Sequence, residues 1–573
     1  MNSETDWWKR AVVYQVYPKS FKDSDGDGYG DLKGITEKLP YIKSLGADVI
    51  WLNPIYQSPH IDNGYDISDY YQVDTELGSM DDFDKLLLKA HKLELKIILD
   101  LVVNHTSDKH RWFKEALKSK DNPYHDYYIW KDPVDGHEPN NWGSSFGGSA
   151  WEYVAKFNQY YLHLFAKEQP DLNWTNPRVR ASVNDIMRFW LDKGIDGFRM
   201  DVINLISKDP AYPDGPIIQN KKYGDYYIGT ANGPHVHEYL HDMYEQVLKK
   251  YPIMTVGETP HTGVDEAVKY VDERRKELDM VFHFDHMHLD YGKYGKFSTK
   301  RFQLVALKRV LSTWQTTIAS HHGWNSLYWS NHDQARAVSR FGDDGKYRVA
   351  SAKMLGVLLH MMQGTPYIYE GEEIGMTNVN YADIDDYNDI ETKDVFERLT
   401  KVEHVSVSEA MRMIHMKSRD NARTPMQWNA KSNTGFTTSQ PWLKINDNYK
   451  EINVATAQAD SKSIWYFYQQ LIALRHHHNI ITSGRYQLID ADNPQIYAYI
   501  RETEEQTLLV VCSFATVATQ WTVPKRYRNQ TAKLLINNYE DVGTVLNNKI
   551  SLKPYEAVVY LISVGTKESN NAD

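Results

Sequence analysis

Apolar stretches of four to eight residues recur along the chain, rich in β-branched and aromatic side chains: "AVVYQVYP", "ADVIWLNP", "LKIILDLVVNH", "DGFRMDV", "IMTVGE", "MVFHFD", "NSLYWSNHD" and "TPYIYEGEE". Between them the apolar spacing lengthens to about 3.6, most clearly in "MDDFDKLLLKAHKLEL", as an amphipathic helix requires. Eight strand-like runs alternating with helices predict a (β/α)8 TIM barrel. Two segments break the alternation. Residues 106–176, rich in Tyr, Trp, Asn, Gly and Pro, are far too long for a βα loop and predict a small inserted domain after the third strand. Residues 375–453, carrying "DIDDYNDIETKDV" and "SRDNARTPMQW", form an excursion after the eighth strand expected to overhang the same barrel face. Beyond the helix "SIWYFYQQLIALRHHHN" the pattern shifts to short strands, "IYAYIR", "TLLVVCSF" and "AVVYLIS", which predict a C-terminal antiparallel β-sandwich. The expected domains are therefore a barrel from 1–105 and 177–481, an insertion at 106–176 and a C-terminal domain at 482–573. The tail "GTKESNNAD" reads as disordered.

At 573 residues the chain exceeds what one hydrophobic core organises, in keeping with several domains. Net charge is -11 and the isoelectric point is near 6.1, which opposes binding to nucleic acid. A mean hydropathy of -0.60, with no apolar run of membrane-spanning length, gives no sign of a membrane role. The single cysteine, Cys512, cannot form an intrachain disulfide and the N-terminus lacks the apolar core of a secretion signal, so a cytoplasmic protein is expected. A monomer is expected. Aromatics reach 13% of the chain, and flat rings with polar edges suit sugars as well as cores.

In a TIM barrel the chemistry sits at the C-terminal strand ends. There the sequence places Asn104 and His105, Arg199 and Asp201, Glu258, and His332 with Asp333. Clustered carboxylates repel and lose hydration, so folding alone does not favour such a group. Metal-assisted hydrolysis and glycoside hydrolysis both use carboxylates in a barrel mouth. The histidines here lack an HxH or HExxH pairing, whereas glycoside hydrolysis needs one carboxylate as nucleophile or base and another as acid. Arg199, two residues before Asp201 on a strand, shares its face and can hold it ionised. The triplet His476 to His478 resembles a metal cluster only in sequence, because consecutive helical residues point apart.

The motifs "YQVYPKSF", "GDLKGI", "DNGYDISDY", "DLVVNHTSD", "QPDLNW", "GIDGFRMDVINLISK", "VGE", "SNHDQ", "GTPYIYEGEE" and "SRDNARTPMQW" cover nearly the whole chain. Together they resemble the α-amylase family of glycoside hydrolases, and within it the oligo-1,6-glucosidase group. The resemblance implies a nucleophile at Asp201, an acid/base at Glu258 and a transition-state stabiliser at Asp333. It also implies that His105 and His332 grip the ring of a terminal glucose, that Tyr65 stacks on it, and that Asp62 and Arg419 close the far end of the pocket, making the enzyme exo-acting. Val202, after the nucleophile, resembles the α-1,6-acting members, so the implied substrates are isomaltose and short isomalto-oligosaccharides. Glu370, Ala335, Thr259 and His261 depart from the commonest family pattern near the leaving-group side. A trehalose-6-phosphate hydrolase shares most motifs and would need a phosphate site, for which Lys221 and Lys222 are the candidate donors. A sucrose-isomerising enzyme would carry an arginine-and-aspartate-rich loop where "SRFGDDG" stands, and a non-catalytic scaffold would have lost the acids.

The stretch "KDSDGDGYGDL" offers Asp23, Asp25, Asp27 and Asp31, with the Tyr29 carbonyl, in the spacing of an EF-hand loop, but Gly34 stands where the bidentate Glu belongs. Four carboxylates in nine residues favour a hard cation, expected to be a structural calcium remote from catalysis.

Overall fold

The computed structural model describes residues 6–218, 222–528, 530–539 and 546–563. Eight parallel strands build the barrel: β1 (Val13–Val16), β2 (Val49–Leu52), β3 (Lys96–Val102), β4 (Gly197–Asp201), β5 (Met254–Glu258), β6 (Met280–Phe282), β7 (Ser326–Leu327) and β8 (Thr365–Tyr369). They pair in the order β6-β5-β4-β3-β2-β1-β8-β7. The remaining seam, between β6 and β7, is crossed by side chains: Ser326 Oγ donates to the Val281 carbonyl at 2.7 Å and the Tyr328 hydroxyl to the His283 carbonyl at 2.6 Å.

Local signals set the helices that follow. The helix α1 (Leu32–Leu45) is capped by the Asp31 side chain, which accepts from the Gly34 amide, and ends at Gly46 in a left-handed conformation with φ 102°. The helix α2 (Met80–Lys92) opens with a capping box between Ser79 and Asp82 and buries Phe83, Leu86, Leu87 and Ala90, one face at helical spacing. Asn176 caps α3 (Pro177–Lys193), with Pro177 at its first position and Gly194 beyond its end.

Strand parity decides what enters the barrel. Val12, Tyr14, Val16, Ile50, Leu52, Ile97 and Leu99 pack in one core, whereas Val13, Val49, Trp51, Ile98, Met254, Val256, Met280, Phe282 and Tyr367 share another. Gln15, Asp100, Arg199, Asp201 and Glu258 continue the second parity at the C-terminal strand ends. An apolar plug thus carries a charged layer above it.

The insertion contains a three-stranded antiparallel sheet of Trp130–Lys131, Gln159–Leu162 and Trp151–Val154. Ile129, Trp142, Ala150, Trp151, Leu162 and Leu164 pack with Val202, Leu205 and Tyr226, seating the insertion on the loop after β4. At the other end, β9 (Arg485–Ile489), β10 (Ile496–Glu502), β11 (Gln506–Ser513), β13 (Ala532–Asn537) and β15 (Ala557–Ser563) form a five-stranded antiparallel sheet in the order β9-β10-β11-β15-β13. A ribbon of β12 (Thr519–Thr522) and β14 (Lys549–Leu552) covers its outer face, where Ala498, Leu509 and Val511 meet Trp521 and Ile550. Tyr497, Tyr499, Leu508, Val510 and Cys512 alternate onto the inner face, against the barrel's Leu355 and Leu358. Both faces are buried, which explains why "TLLVVCSF" reads as a continuous apolar run.

Among the described residues, no helix is long and apolar enough to cross a membrane. The expected disorder of the tail lies outside the described residues. His476 pairs with Asp48 at 3.0 Å at the last turn of its helix, and the three consecutive histidines do not converge on one point.

Candidate active site

At the strand ends a single buried guanidinium organises three carboxyl groups. Arg199 donates to Asp100 at 2.6 Å and to Asp201 at 2.7 Å, and its other terminal nitrogen lies 2.7 Å from Glu258. Burial, opposed by Arg199 and reinforced by Glu258 and Asp100, raises the Asp201 carboxyl well above the ordinary range. Arg199 favours the ionised form of Asp201, as its place on the same strand face predicts, but one positive charge shared with Asp100 and Glu258 does not outweigh burial. Glu258 also accepts from the Val202 amide at 3.1 Å. Val202 has φ 35°, a left-handed conformation rarely adopted by a β-branched residue. This turn aims the amide that follows Asp201 at Glu258.

Asp333 lies in a separate basic cluster. Arg423 donates to it at 2.7 Å, Arg419 at 3.3 Å, and His332 Nε2 approaches at 3.1 Å. Burial works against its charge, but His332, Arg419 and Arg423 outweigh it and hold Asp333 well below the usual carboxylate range. Its side chain keeps 28% exposure and faces the opening, whereas Asp201 and Glu258 keep about a tenth.

Arg419 closes the far end. It reaches Asp62 at 3.3 Å and Asp389 at 2.7 Å, and its guanidinium lies 5.1 Å from the centre of the Phe146 ring, contributed by the insertion. Burial lifts Asp62 to about 6 despite Arg419 and Arg423. Gln169 bridges Asp62 at 3.3 Å to His105 Nε2 at 3.2 Å. Burial lowers His105 to about 4, leaving a neutral ring at neutral pH. The Tyr65 hydroxyl meets Asn53 at 2.7 Å, Asp100 at 3.0 Å and His332 Nε2 at 2.7 Å, and the Tyr65 ring stacks on His332 with centroids 5.3 Å apart.

The structure therefore brings Asp62, Tyr65, His105, Arg199, Asp201, Glu258, His332, Asp333 and Arg419 into one connected network. Val202 joins it through its amide, while its side chain belongs to the apolar seam with the insertion. Sequence reasoning did not assign Asp100, Gln169, Asp389 or Arg423. Asp100 and Arg423 lie inside quoted motifs, but nothing local reveals that their partners stand 99 and 90 positions away.

The aspartate loop behaves differently from a full cation cage. Asp23, Asp25 and Asp27 bring one oxygen each within 4.8 Å of one another. Asp31 is turned to another task, accepting from the Ser24 amide, Ser24 Oγ and the Gly34 amide as the cap of α1. Tyr29 enters through its amide, which donates to Asp27 at 2.8 Å. Asp31 therefore has a second role, as the cap of α1, beside its expected one as a ligand. Asp23, Asp25 and Asp27 are the carboxylates already gathered within reach of one hard cation.

The profile of the alpha amylase catalytic domain matches residues 15–484, and that of the maltogenic amylase C-terminal domain matches residues 486–559. The chain belongs to the α-amylase family. An oligo-1,6-glucosidase from Parageobacillus thermoglucosidasius is 54% identical over 559 residues, covering 98% of this chain and 99% of that protein. A trehalose-6-phosphate hydrolase from Bacillus subtilis is 50% identical over 563 residues, covering 98% and 99%. Among solved structures, the trehalose-6-phosphate hydrolase of Bacillus licheniformis superposes with a TM-score of 0.92 at 50% identity, covering 97% of this chain and all of that one. Two specificities at nearly equal identity mean that substrate choice must be argued from the site.

Proposed function

We propose that the protein is an exo-acting, retaining α-glucosidase that releases the non-reducing α-1,6-linked glucose of isomaltose and short isomalto-oligosaccharides. The observation that carries this is the Arg199 bridge between Asp201 and Glu258, at the floor of a pocket whose end is closed by Arg419 and Asp62. A pair of carboxyls sharing one guanidinium suits the short spacing of a retaining site, about 5–5.5 Å, better than the wider gap that an inverting site keeps for water.

In the first step Asp201 attacks the anomeric carbon as the glycosidic C–O bond breaks, and Glu258 gives its proton to the departing oxygen. In the second, Glu258 takes a proton from water, the water oxygen bonds to the anomeric carbon and Asp201 leaves, so the sugar keeps its α configuration. Asp333, strongly anionic through its basic neighbours, grips ring hydroxyls while positive charge develops on the sugar. His105 and His332 assist from the strand ends. Arg419 and Asp62 receive the far edge of the terminal glucose, which leaves no room for a chain to continue.

The α-1,6 preference is supported by the oligo-1,6-glucosidases among the relatives and by Val202, a branched side chain directly after the proposed nucleophile. A phosphate-bearing substrate would want an unpaired cation at the mouth. Lys296, in the loop after β6, is engaged with Glu391 at 2.7 Å, and the buried Arg340 and Lys417 are both held by Asp290; among the described residues Lys293 of the same loop meets only the Tyr294 hydroxyl, at 3.1 Å, so it is the cation that the comparison of substrates tests. The Lys222 ammonium sits 5.1 Å from the Tyr223 ring centre, and Lys221 lies outside the described residues. Initial rates on isomaltose, maltose, sucrose and trehalose-6-phosphate test the reading. Isomaltose should lead, and Val202→Thr should narrow its advantage over maltose by about 10-fold, the scale of one altered methyl-sized contact. A lead for trehalose-6-phosphate would overturn the substrate assignment and leave the catalytic trio in place.

We also propose that Asp23, Asp25 and Asp27 hold a structural Ca2+. Added Ca2+ should raise the melting temperature of metal-stripped protein, with kcat at moderate temperature changed less than twofold, and Asp25→Asn should abolish the rise. Loss of kcat without loss of stability on stripping would contradict a purely structural ion.

A further inference from the structure

We propose that His60, Asp74 and Glu76 form a site for one divalent transition-metal ion of the Zn2+ class, on the turn that presents Asp62 to the pocket. His60 Nε2 lies 3.1 Å from Asp74 Oδ2 and 3.4 Å from Glu76 Oε2, and the three donor atoms all fall within 4.8 Å of one another.

A single hydrogen bond does not account for this arrangement. Both ring nitrogens of His60 are shielded from solvent; Nε2 is in ion-pair contact with both Asp74 and Glu76, and the ring has no further polar partner among the described residues. One ring nitrogen can aim one N–H at one acceptor, whereas here two carboxylates converge on the same nitrogen from off its axis. An ion explains both features. With bonds of about 2.0–2.2 Å in tetrahedral geometry, neighbouring donor atoms stand about 3.3 Å apart, each off the other's bonding axis. The observed 3.1 and 3.4 Å bracket that value.

The donors are held in advance. Asp74 is buried and accepts from the Ser58 amide at 2.9 Å and the Glu76 amide at 2.8 Å. His60 is fixed with φ 63° and its amide donates to Ser58 Oγ at 3.0 Å. Glu76 keeps 46% side-chain exposure, which gives an ion a way in. A small cavity of about 20 Å3, lined by Lys19, His60, Asn63 and Glu76 among others, adjoins the three donors and has room for one water. A nitrogen with two carboxylate oxygens suits Zn2+ or Ni2+; Ca2+ and Mg2+ prefer oxygen alone. One and two residues on, the amides of Ile61 and Asp62 are tied to Asp66 at 3.0 Å each, so the site and Asp62 share one short, braced turn. None of this depends on which glycosidic linkage is cleaved.

Titration of metal-stripped full-length protein with Zn2+ by calorimetry, and with Co2+ by visible absorption, tests the site. One ion per chain and an intense tetrahedral Co2+ band are expected. His60→Asn, chosen because Asn tolerates a left-handed backbone, and Glu76→Gln, at a half-exposed position, should each weaken Zn2+ by more than about 10-fold. Asp25→Asn should leave it unchanged. No stoichiometric binding, or equal binding by wild type and His60→Asn, would overturn the proposal.

Discussion

Asp201→Asn is expected to lower kcat/KM on isomaltose by about 10^4 to 10^6-fold, the range found when an essential nucleophile is removed, and at the same time to raise the melting temperature at neutral pH. The first effect follows from the proposed chemistry, since a carboxamide cannot form the glycosyl intermediate. The second follows from the electrostatics. Arg199 keeps Asp100 at 2.6 Å and Glu258 at 2.7 Å after the change, while one of three carboxyl groups competing for it is neutralised. The sign can be worked through. Asp201 is raised above its unfolded value, so its contribution to stability is complete below the unfolded pKa and is lost as pH rises through the folded one. The amide escapes that loss, and its advantage should grow as pH rises from acid to neutral. Steady-state kinetics beside thermal melts separate the outcomes: activity within tenfold of wild type would remove Asp201 from the nucleophile's role, and a joint fall of activity and melting temperature would make it a structural acid.

What the sequence disclosed, and what it withheld, divides along the range of the interactions. The eight barrel strands were legible because each is an apolar run with a turn at its end, down to β6 and β7, which hold only three and two ladder residues. Arg199 and Asp201 could be placed on one face because strand parity is local. Asp100 was not read as the third member of that cluster, although parity puts it there, because an aspartate in mid-strand has no signature until its partner is known. Asp389 and Arg423 were harder still. They lie in the excursion after β8, where no regular period exists, and act only by folding back onto Asp333 and Arg419. Asp31 shows a role that went unread: an aspartate directly before an amphipathic run is a helix-cap signal, and the neighbouring aspartates drew attention only to its expected place in a cation site.

The second large effect concerns the closed end of the pocket, where activity and stability should move in opposite directions. Asp62→Asn is expected to raise KM for isomaltose and lower kcat/KM by about 10^2-fold, because a carboxylate gripping sugar hydroxyls becomes a weaker neutral acceptor. Yet the variant should be more stable than wild type at pH 7. Burial lifts Asp62 from 3.8 to about 6, so keeping it charged at neutral pH opposes folding. That gap corresponds to about 3 kcal/mol at most. The contribution is present below the unfolded value and is lost as pH rises through about 6, so the stability difference between Asp62→Asn and wild type should grow between pH 4 and 7 and level off above. Arg419 does not lose its anchorage, since Asp389 and Asp333 remain at 2.7 and 3.3 Å. Arg419→Ala should instead lower activity and stability together. It strands the fully buried Asp389, whose carboxyl Arg419 and Arg423 hold far below the ordinary range, and removing one partner of such a buried pair costs about 3–5 kcal/mol. Denaturant melts of the two variants across pH 4 to 8 would decide the matter: a destabilised Asp62→Asn at pH 7 would mean that Asp62 is retained to hold the fold, whereas a stabilised but weakly binding one would mean that the strained carboxylate is kept for the sugar.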